Sequence, residues 1–513
     1  MKVTVKFAEK NNSGQTLYDL LLQEGIQLSA PCAGKGCCKA CKVKVLKGKL
    51  PPSLKDREVF SDMEIQDGWR LACQAYPQED CTIFVPEERF TVLTGYGEKS
   101  LSDETDFLSV KETNPKKNIY RIGIDLGTTT IVYELYDART KETLETVASA
   151  NSQRIFGADV VSRMEQSNNG RKDLLKNTLR QQMKKDIAVL MEGRDPKEIE
   201  KVAISANTPM VHLLMGYSCE GLGKHPFTPE TLDPVRTDTR ALNLLEKETP
   251  VRVTEGISAY VGGDILAGMA SVKILQEKKA TLFIDLGTNA EMALWNGRDK
   301  IYVTSAPAGP AFEAANISCG VGSIEGAVSG ICIENGEQTL RVIGDQKPIG
   351  FCGSGILEAV YELRRNGLMD ETGLLEEEYF EKGYPVARLR ITQQDIRQIQ
   401  LAKAAVYSAI TILMEKAKIV PEQIEKVYLA GGFGYYLNVE KAIGIGMFPT
   451  AFDGKIKAVG NTSLQGTKEI VNARITPDDL CKIKNICEEI YLSNEEDFQE
   501  IFLNCMNFIQ ETI

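Results

Sequence analysis

Four cysteines near the N-terminus have the type and spacing of a metal-centre ligand set. Cys32, Cys38 and Cys41 lie in PCAGKGCCKACKVKV and Cys73 follows in WRLACQAYP, giving Cys-x5-Cys-x2-Cys…Cys. Six of the 13 cysteines fall in the first 81 residues. The opening MKVTVKFAEK lacks the apolar core of a secretion signal, so a cytoplasmic chain is expected and ligation is favoured over disulfides. Soft thiolates suit iron–sulfur clusters. The spacing is close to the C-x4-C-x2-C…C pattern around a [2Fe–2S] cluster. Ala33, Gly34 and Gly36 let backbone approach closely enough for amide groups to reach the sulfurs. Zinc is the alternative, but zinc knuckles usually carry two Cys-x2-Cys pairs and only one is present here. Cys37 also has the x4 spacing from Cys32, yet its Cys-x2-Cys partner would fall at position 40, an alanine. Cys38 is therefore the expected ligand and Cys37 its neighbour. Cys81, in the strand-like CTIFVP, reads as a small core residue.

A second set of residues points to phosphate chemistry. GIDLGTTT contains Asp125, Gly127, Thr128, Thr129 and Thr130, and FIDLGTNA contains Asp285, Gly287, Thr288 and Asn289. The two aspartates are 160 positions apart (285 − 125). A tight Gly-Thr hairpin turns backbone N–H and hydroxyl groups toward phosphate oxygens. A carboxylate ending the preceding strand can hold Mg²⁺ directly or through water. Late in the chain, AGGFG places Gly431 and Gly432 where a surface without side chains could receive an adenosine.

These residues need elements to hold them. KVTVKF and CKVKVLKG alternate as strands and TLYDLLLQEG reads as a short helix, a pattern fitting a small β-grasp domain over 1–88. A polar stretch over 89–118 reads as a linker. From 119 onward the chain repeats itself. IYRIGIDLGTTTIVYELYD parallels TLFIDLGTNAEMALWNG, and DPKEIEKVAISANTPM parallels VPEQIEKVYLAGGFG, each of the latter after a long helical stretch. Two lobes over 119–280 and 281–513, the second with a C-terminal helical segment, would face each other across a cleft.

Composition narrows the function further. Hydrophobic residues at 43% and charged residues at 26% exclude wholesale disorder. A net charge of −11 disfavours a nucleic-acid partner or a polybasic membrane patch. No apolar run long enough to span a bilayer is present, so no membrane association is expected. The two histidines, His212 and His225, read as structural. Cys219, Cys319, Cys332, Cys352, Cys481, Cys487 and Cys505 are scattered without ligand spacing.

GIDLGTT, the second DLGT and the late GG loop resemble the superfamily of sugar and acetate kinases, 70-kDa heat-shock chaperones and actin. The resemblance implies a duplicated, two-lobed, RNase H-like ATPase core that binds ATP with Mg²⁺. It also implies a water-orienting carboxylate at Asp264 in SAYVGGDILAG; the plain alternative is an N-cap for the helix that follows. More narrowly, the chain resembles the ATP-dependent reductive activators of corrinoid proteins, which join a [2Fe–2S] ferredoxin domain to this core. LACQ, NSQRIFGADVVSR, SANTPMVHLLMG, APAGPAFE, GFCGSGI (with Gly353 and Ser354 as cofactor-binding candidates), QLAKAA and GNTSLQG carry that likeness.

The implied fold is multidomain α+β and α/β. The implied activity is single-electron reduction of inactive Co(II) to Co(I) in the corrinoid protein of a methyltransferase system, coupled to ATP hydrolysis and fed by an external low-potential electron donor; a homodimer is left open. Cys37 and the short linker depart from the family pattern, since some members insert a further domain there. Activators of 2-hydroxyacyl-CoA dehydratases are the first alternative, with Cys319 or Cys352 as cluster ligands, although they lack the N-terminal domain. A small-molecule kinase with a redox module is disfavoured by the apolar PAGPAFE segment, and a chaperone or filament subunit by the lack of a peptide-binding domain after residue 470.

Overall fold

The computed structural model describes residues 2–5, 15–23, 26, 28, 36, 41–86, 118–314 and 316–508. Cys32, Cys37, Cys38 and nearly all of the 89–118 stretch lie outside the described residues.

The N-terminal strands are β1 (Lys2–Val5), β2 (Lys42–Lys47), β3 (Trp69–Leu71) and β4 (Cys81–Phe84), in the order β1-β4-β2-β3 with antiparallel pairing throughout. Apolar residues spaced three and four apart give the helix Leu17–Gln23 one buried stripe, and Leu17, Leu20 and Leu21 pack into a core with Val43, Leu71 and Ile83. Cys81 belongs to that core, as expected. Two short helices, Leu54–Val59 and Asp62–Gln66, start at serines that form reciprocal capping boxes with Asp56 and Glu64.

The repeat read from the sequence is present as two sheets of the same construction. In the first, β5 (Tyr120–Leu126), β6 (Thr130–Asp137) and β7 (Thr143–Ala150) form an antiparallel meander, and β8 (Ile199–Ala206) pairs in parallel with β5. Beyond β8 come β10 (Pro250–Val253), parallel to it, and β9 (Val235–Asp238) at the edge. In the second, β11 (Thr281–Leu286), β12 (Ala290–Trp295) and β13 (Ile301–Ala306) repeat the meander. Between β13 and the next strand of this sheet the chain inserts a three-stranded sheet, β14 (Ala327–Glu334), β15 (Glu337–Val342) and β16 (Gly350–Phe351), and a hairpin, β17 (Tyr384–Val386) and β18 (Leu389–Ile391). β19 (Lys426–Ala430) then pairs in parallel with β11, β20 (Ile456–Gly460) with β19, and β21 (Cys487–Glu489) with the far side of β13. The C-terminal stretch is thus helical except for this one edge strand.

Central strands buried on both faces read as nearly continuous apolar runs, as IYRIGIDL and TLFIDL do. The helix Lys172–Leu190 covers the first sheet through Leu175, Leu179, Met183 and Ile187. Helix Gln393–Ala417, begun by a Thr392–Asp395 capping box, covers the second.

A helix follows β10 in the first repeat and β20 in the second, Gly263–Ser271 and Thr462–Val471, and these two helices pack against each other between the lobes. Their sequences, VGGDILAG and VGNTSLQG, are repeat-mates. Glycine permits the close approach: a Cβ on Gly268 would lie 2.8 Å from Thr462 Oγ1, and one on Gly466 would lie 2.2 Å from the Ala267 carbonyl oxygen. The surrounding core unites Ala267 and Met269 of one helix with Ile470 of the other and Phe283 of β11.

The N-terminal domain touches the first lobe beside its cysteines. The Tyr18 hydroxyl donates to the Ile155 carbonyl, and Arg171 forms an ion pair with Asp19 at 2.7 Å. Among the described residues no helix is long and apolar enough to cross a membrane.

Candidate functional site

The first hairpin, between β5 and β6, is held from behind. Asn151 donates its side-chain amide to the Gly127 carbonyl (2.9 Å) and its backbone N–H to the Thr129 carbonyl (2.8 Å). Arg163 donates to the Thr128 carbonyl at 2.7 Å. In a trans peptide the N–H points opposite to the C=O, so the N–H groups of Thr128 and Thr129 are turned to the other side. Gly127 is required for the turn, because a Cβ there would sit 2.5 Å from the Thr130 carbonyl oxygen. Asn207, the N-cap after β8, donates to Thr128 Oγ1 at 3.0 Å.

The second hairpin, closed by a Gly287 N–H to Asn289 carbonyl bond of 2.9 Å, meets the first. The hydroxyls of Thr129 and Thr288 are 3.4 Å apart, and both donate to one oxygen of Glu313, at 3.4 and 3.1 Å. Glu313 ends the short turn Pro310–Glu313. The PAGPAFE segment, read as apolar, buries Ala311 and Phe312 and extends this carboxylate to both hairpins.

The acids beneath the hairpins form a second layer. Asp125 accepts from Asn461 Nδ2 (2.8 Å) and Ser463 Oγ (2.7 Å) across the lobe boundary. Asp264 is not the N-cap of its helix: Gly262 holds that position, and Asp264 lies in the first turn, taking the Ile265 N–H at 2.9 Å. Enclosure by protein, then repulsion from Asp125, raises Asp264 to about 7. Asp285 is likewise pushed up to about 7 by enclosure and by Asp264 and Asp125. Glu291, which accepts from Ser305 at 3.0 Å, is pushed up to about 8 by enclosure and by Asp264 and Asp285.

Among the described residues no three of these acids converge closely enough to chelate a metal ion unaided. A cluster of mutually repelling carboxylates beside phosphate-facing hairpins nevertheless suits Mg²⁺, which keeps several waters and takes its remaining ligands from one or two carboxylates and the phosphates. Arg163 adds positive charge behind the first hairpin. It is fully buried, donates only to carbonyl oxygens and a methionine sulfur, and burial pushes it down to about 9.

The glycine loop after β19 borders the same acids. Gly431 has φ +92°, and a Cβ there would lie 2.5 Å from the Leu286 carbonyl oxygen and 2.9 Å from Asp285 Oδ1. A Cβ on Gly432 would meet nothing within 4 Å, so this backbone presents an open face. Phe433 stacks on Phe312 with centroids 4.9 Å apart. Gly353 lies beneath that pair, since its Cβ would come within 1.8 Å of the Phe312 carbonyl oxygen and 3.0 Å of the Phe433 ring. Ser354 donates to the Ser329 carbonyl at 3.2 Å.

In the N-terminal domain, Cys41 and Cys73 place their sulfurs 3.2 Å apart. Gln74 directs its amide at Cys73 Sγ from 3.8 Å. Gly36, with φ +76°, packs so that a Cβ would touch Gln74 at 3.0 Å. Two adjacent thiols, a side-chain amide near sulfur and Gly36 packed against that amide fit a [2Fe–2S] centre.

Glu291, Glu313, Asn461, Ser463, Asn151 and Arg163 are not evident as site residues from spacing. Several lie in NSQRIFGADVVSR and GNTSLQG, segments whose polar residues otherwise read as caps. His212 is structural: Nδ1 bonds the Thr208 carbonyl at 2.9 Å and Nε2 accepts the Glu230 N–H at 3.0 Å.

Family models match nearly all of the chain: "2Fe-2S iron-sulfur cluster binding domain" over 3–78, "RACo middle region" over 120–277 and "C-terminal domain of RACo the ASKHA domain" over 279–513. The corrinoid activation enzyme RamQ of Eubacterium limosum is 30% identical over 435 residues, covering 78% of this chain and 71% of the relative. The [Co(II) methylated amine-specific corrinoid protein] reductase of Methanosarcina barkeri is 26% identical over 421 residues, covering 75% of this chain and 76% of the relative. A solved "Reductive activator for corrinoid,iron-sulfur protein" superimposes with a TM-score of 0.72 at 25% identity, over 98% of this chain and 97% of the other.

Proposed function

Because this chain belongs to the RACo family, we propose that it is an ATP-hydrolysing reductive activator that returns a corrinoid protein from Co(II) to Co(I). The observation that carries the reading is one polypeptide that sets thiols 3.2 Å apart in its first domain and two threonine hairpins 3.4 Å apart over enclosed aspartates in its core. When bound, the [2Fe–2S] cluster supplies one low-potential electron and Mg·ATP supplies free energy. Each 100 mV of uphill transfer costs about 2.3 kcal/mol for one electron, so a deficit of a few hundred millivolts needs such coupling.

Cys32, Cys38, Cys41 and Cys73 hold the cluster, in a domain spanning 1–88 that an external donor reduces. Asp125 and Asp285 hold the magnesium side of the nucleotide, with Asp264 and Glu291 adding negative charge around it. The loops Gly127–Thr130 and Gly287–Asn289 grip the terminal phosphates from opposite lobes through N–H and hydroxyl donors. Gly431 and Gly432, supported by Gly353 and Ser354, form the nucleoside face. Asn461 and Ser463 reach Asp125 from the second lobe, so closure of the lobes and shaping of the magnesium site are one event. Nucleotide states that differ in this closure can differ in affinity for partner conformations, the requirement for coupling.

The test is anaerobic. Reduced protein, Mg·ATP and a Co(II) corrinoid protein are combined, and the cobalt absorbance is followed. The Co(I) spectrum is expected only with all three. An Asp285→Ala variant with its cluster intact should reduce little corrinoid. If it matches wild type, ATP is not coupled to the electron; if phosphate appears on a small metabolite, the chain is a kinase.

A further inference from the structure

We propose that Glu313 orients and deprotonates the water that attacks ATP. This inference rests on the ATPase reading above and assigns the base within it.

The geometry separates Glu313 from the other acids of the cleft. Asp125 has both oxygens engaged, by Asn461 and Ser463. Asp264, Asp285 and Glu291 repel one another around the place suited to a cation, and a carboxylate neutralised by a metal is a poor base. Glu313 instead faces the hairpin threonines, one from each lobe, and both bond to its Oε2. Among the described residues Oε1 accepts no hydrogen bond, which leaves it available to a water. Burial raises its pKa, against which the two threonine hydroxyls and then the Arg163 guanidinium act to lower it, so that the group holds a proton more readily than an exposed carboxylate, as a base must.

The carboxylate is also held rigidly. It closes a turn begun by Gly309 (φ +74°) and Pro310 and ended by Ala314 at φ +58°. Phe312, one residue earlier, stacks on Phe433 of the nucleoside loop. Filling of the nucleoside face and placement of Glu313 are therefore mechanically linked. In the step itself, the water oxygen bonds to the γ-phosphorus while the bond from that phosphorus to the β–γ bridging oxygen breaks. ADP leaves with the electron pair, and the water proton passes to Glu313 and then to solvent.

Single-turnover hydrolysis of Mg·ATP by the full chain, measured with nucleotide affinity by equilibrium titration, tests this. Glu313→Gln should lower hydrolysis about a hundredfold or more while ATP affinity stays within about threefold of wild type. Formate should restore part of the lost rate in Glu313→Ala. The amide of Glu313→Gln can still bond both threonines, so near-wild-type hydrolysis by that variant would show Glu313 to be only a clamp between hairpins, as would a loss of affinity without loss of the hydrolytic step. Should Glu313→Ala fail to fold, the isosteric Gln variant decides alone. If wild type itself hydrolyses no Mg·ATP, the ATPase reading fails; if only the variants behave like wild type, this inference alone fails.

Discussion

Asp285 and Glu291 stand directly opposite each other across the antiparallel pair β11–β12. Both are carboxylates and both point charge into one enclosed region, so each is pushed up, to about 7 and about 8. Like charges directly across a strand pair are destabilising. The sheet tolerates this arrangement because protons or a cation can offset it.

The first prediction concerns pH and magnesium. A group whose folded pKa is raised stabilises the fold fully below its ordinary range, and that contribution is lost as pH rises through the folded value. In chelator, the melting temperature should therefore fall between about pH 5 and about pH 8, and added Mg²⁺ should recover most of the loss at the upper end. Asp285→Asn should flatten the slope. A melting temperature that rises over this window would contradict the account.

The second separates two adjacent glycines. Gly432→Val adds bulk to an open face, so it should weaken ATP binding at least tenfold, about 1.4 kcal/mol, with little change in melting temperature. Gly431→Ala, at φ +92° and 2.5 Å from a carbonyl oxygen, should instead destabilise the protein by about 1–3 kcal/mol. Nucleotide titration and thermal melts distinguish the two.

The third concerns the thiols. Cys41→Ser or Cys73→Ser should abolish the visible absorbance and the EPR signal of the reduced cluster while ATP hydrolysis persists. Wild type should carry about two iron and two sulfide per chain, the stoichiometry of a [2Fe–2S] cluster. Retention of a normal spectrum in either variant would remove that cysteine from the ligand set.

The fourth concerns the contact between domains. Tyr18→Phe should cost about 1 kcal/mol, and Arg171→Ala, which breaks a partly exposed pair with Asp19, about 0.2–1 kcal/mol. The double variant should show a larger radius of gyration in small-angle scattering with its cluster absorbance unchanged. An unaltered scattering curve would mean that this contact does not hold the domain.

Much of the architecture is readable from sequence because its signals are local. The DLGT turns, the apolar strands before them and the KV-containing strands that pair beside them each announce themselves within a dozen residues. What is not readable is long-range. Asn461 and Ser463 look like ordinary capping residues until Asp125, more than 300 positions earlier, is found bonded to both. Glu313 hides at the end of an apolar segment, and only the meeting of Thr129 with Thr288 reveals it. Asp264 follows two glycines and so resembles an N-cap, but Gly262 takes that place and frees the carboxylate for the cleft. VGGDILAG and VGNTSLQG can be aligned by eye, yet their packing is a property of the folded pair.

Duplication has a consequence for direction. Two matched halves facing one another would, if their side chains also matched, offer a nucleotide two equivalent ways to lie. β8 and β19 align so that Ser205 corresponds to Ala430, because each pairs with the aspartate of its own sheet. Two residues on, Gly432 in one half corresponds to Asn207 in the other. Gly432 leaves open space, whereas Asn207 fills the matching place and is committed to Thr128 and to the start of its helix. On the proposed ATP site this Gly–Asn difference would help give a near-palindromic cleft polarity, leaving the base and sugar one end to enter.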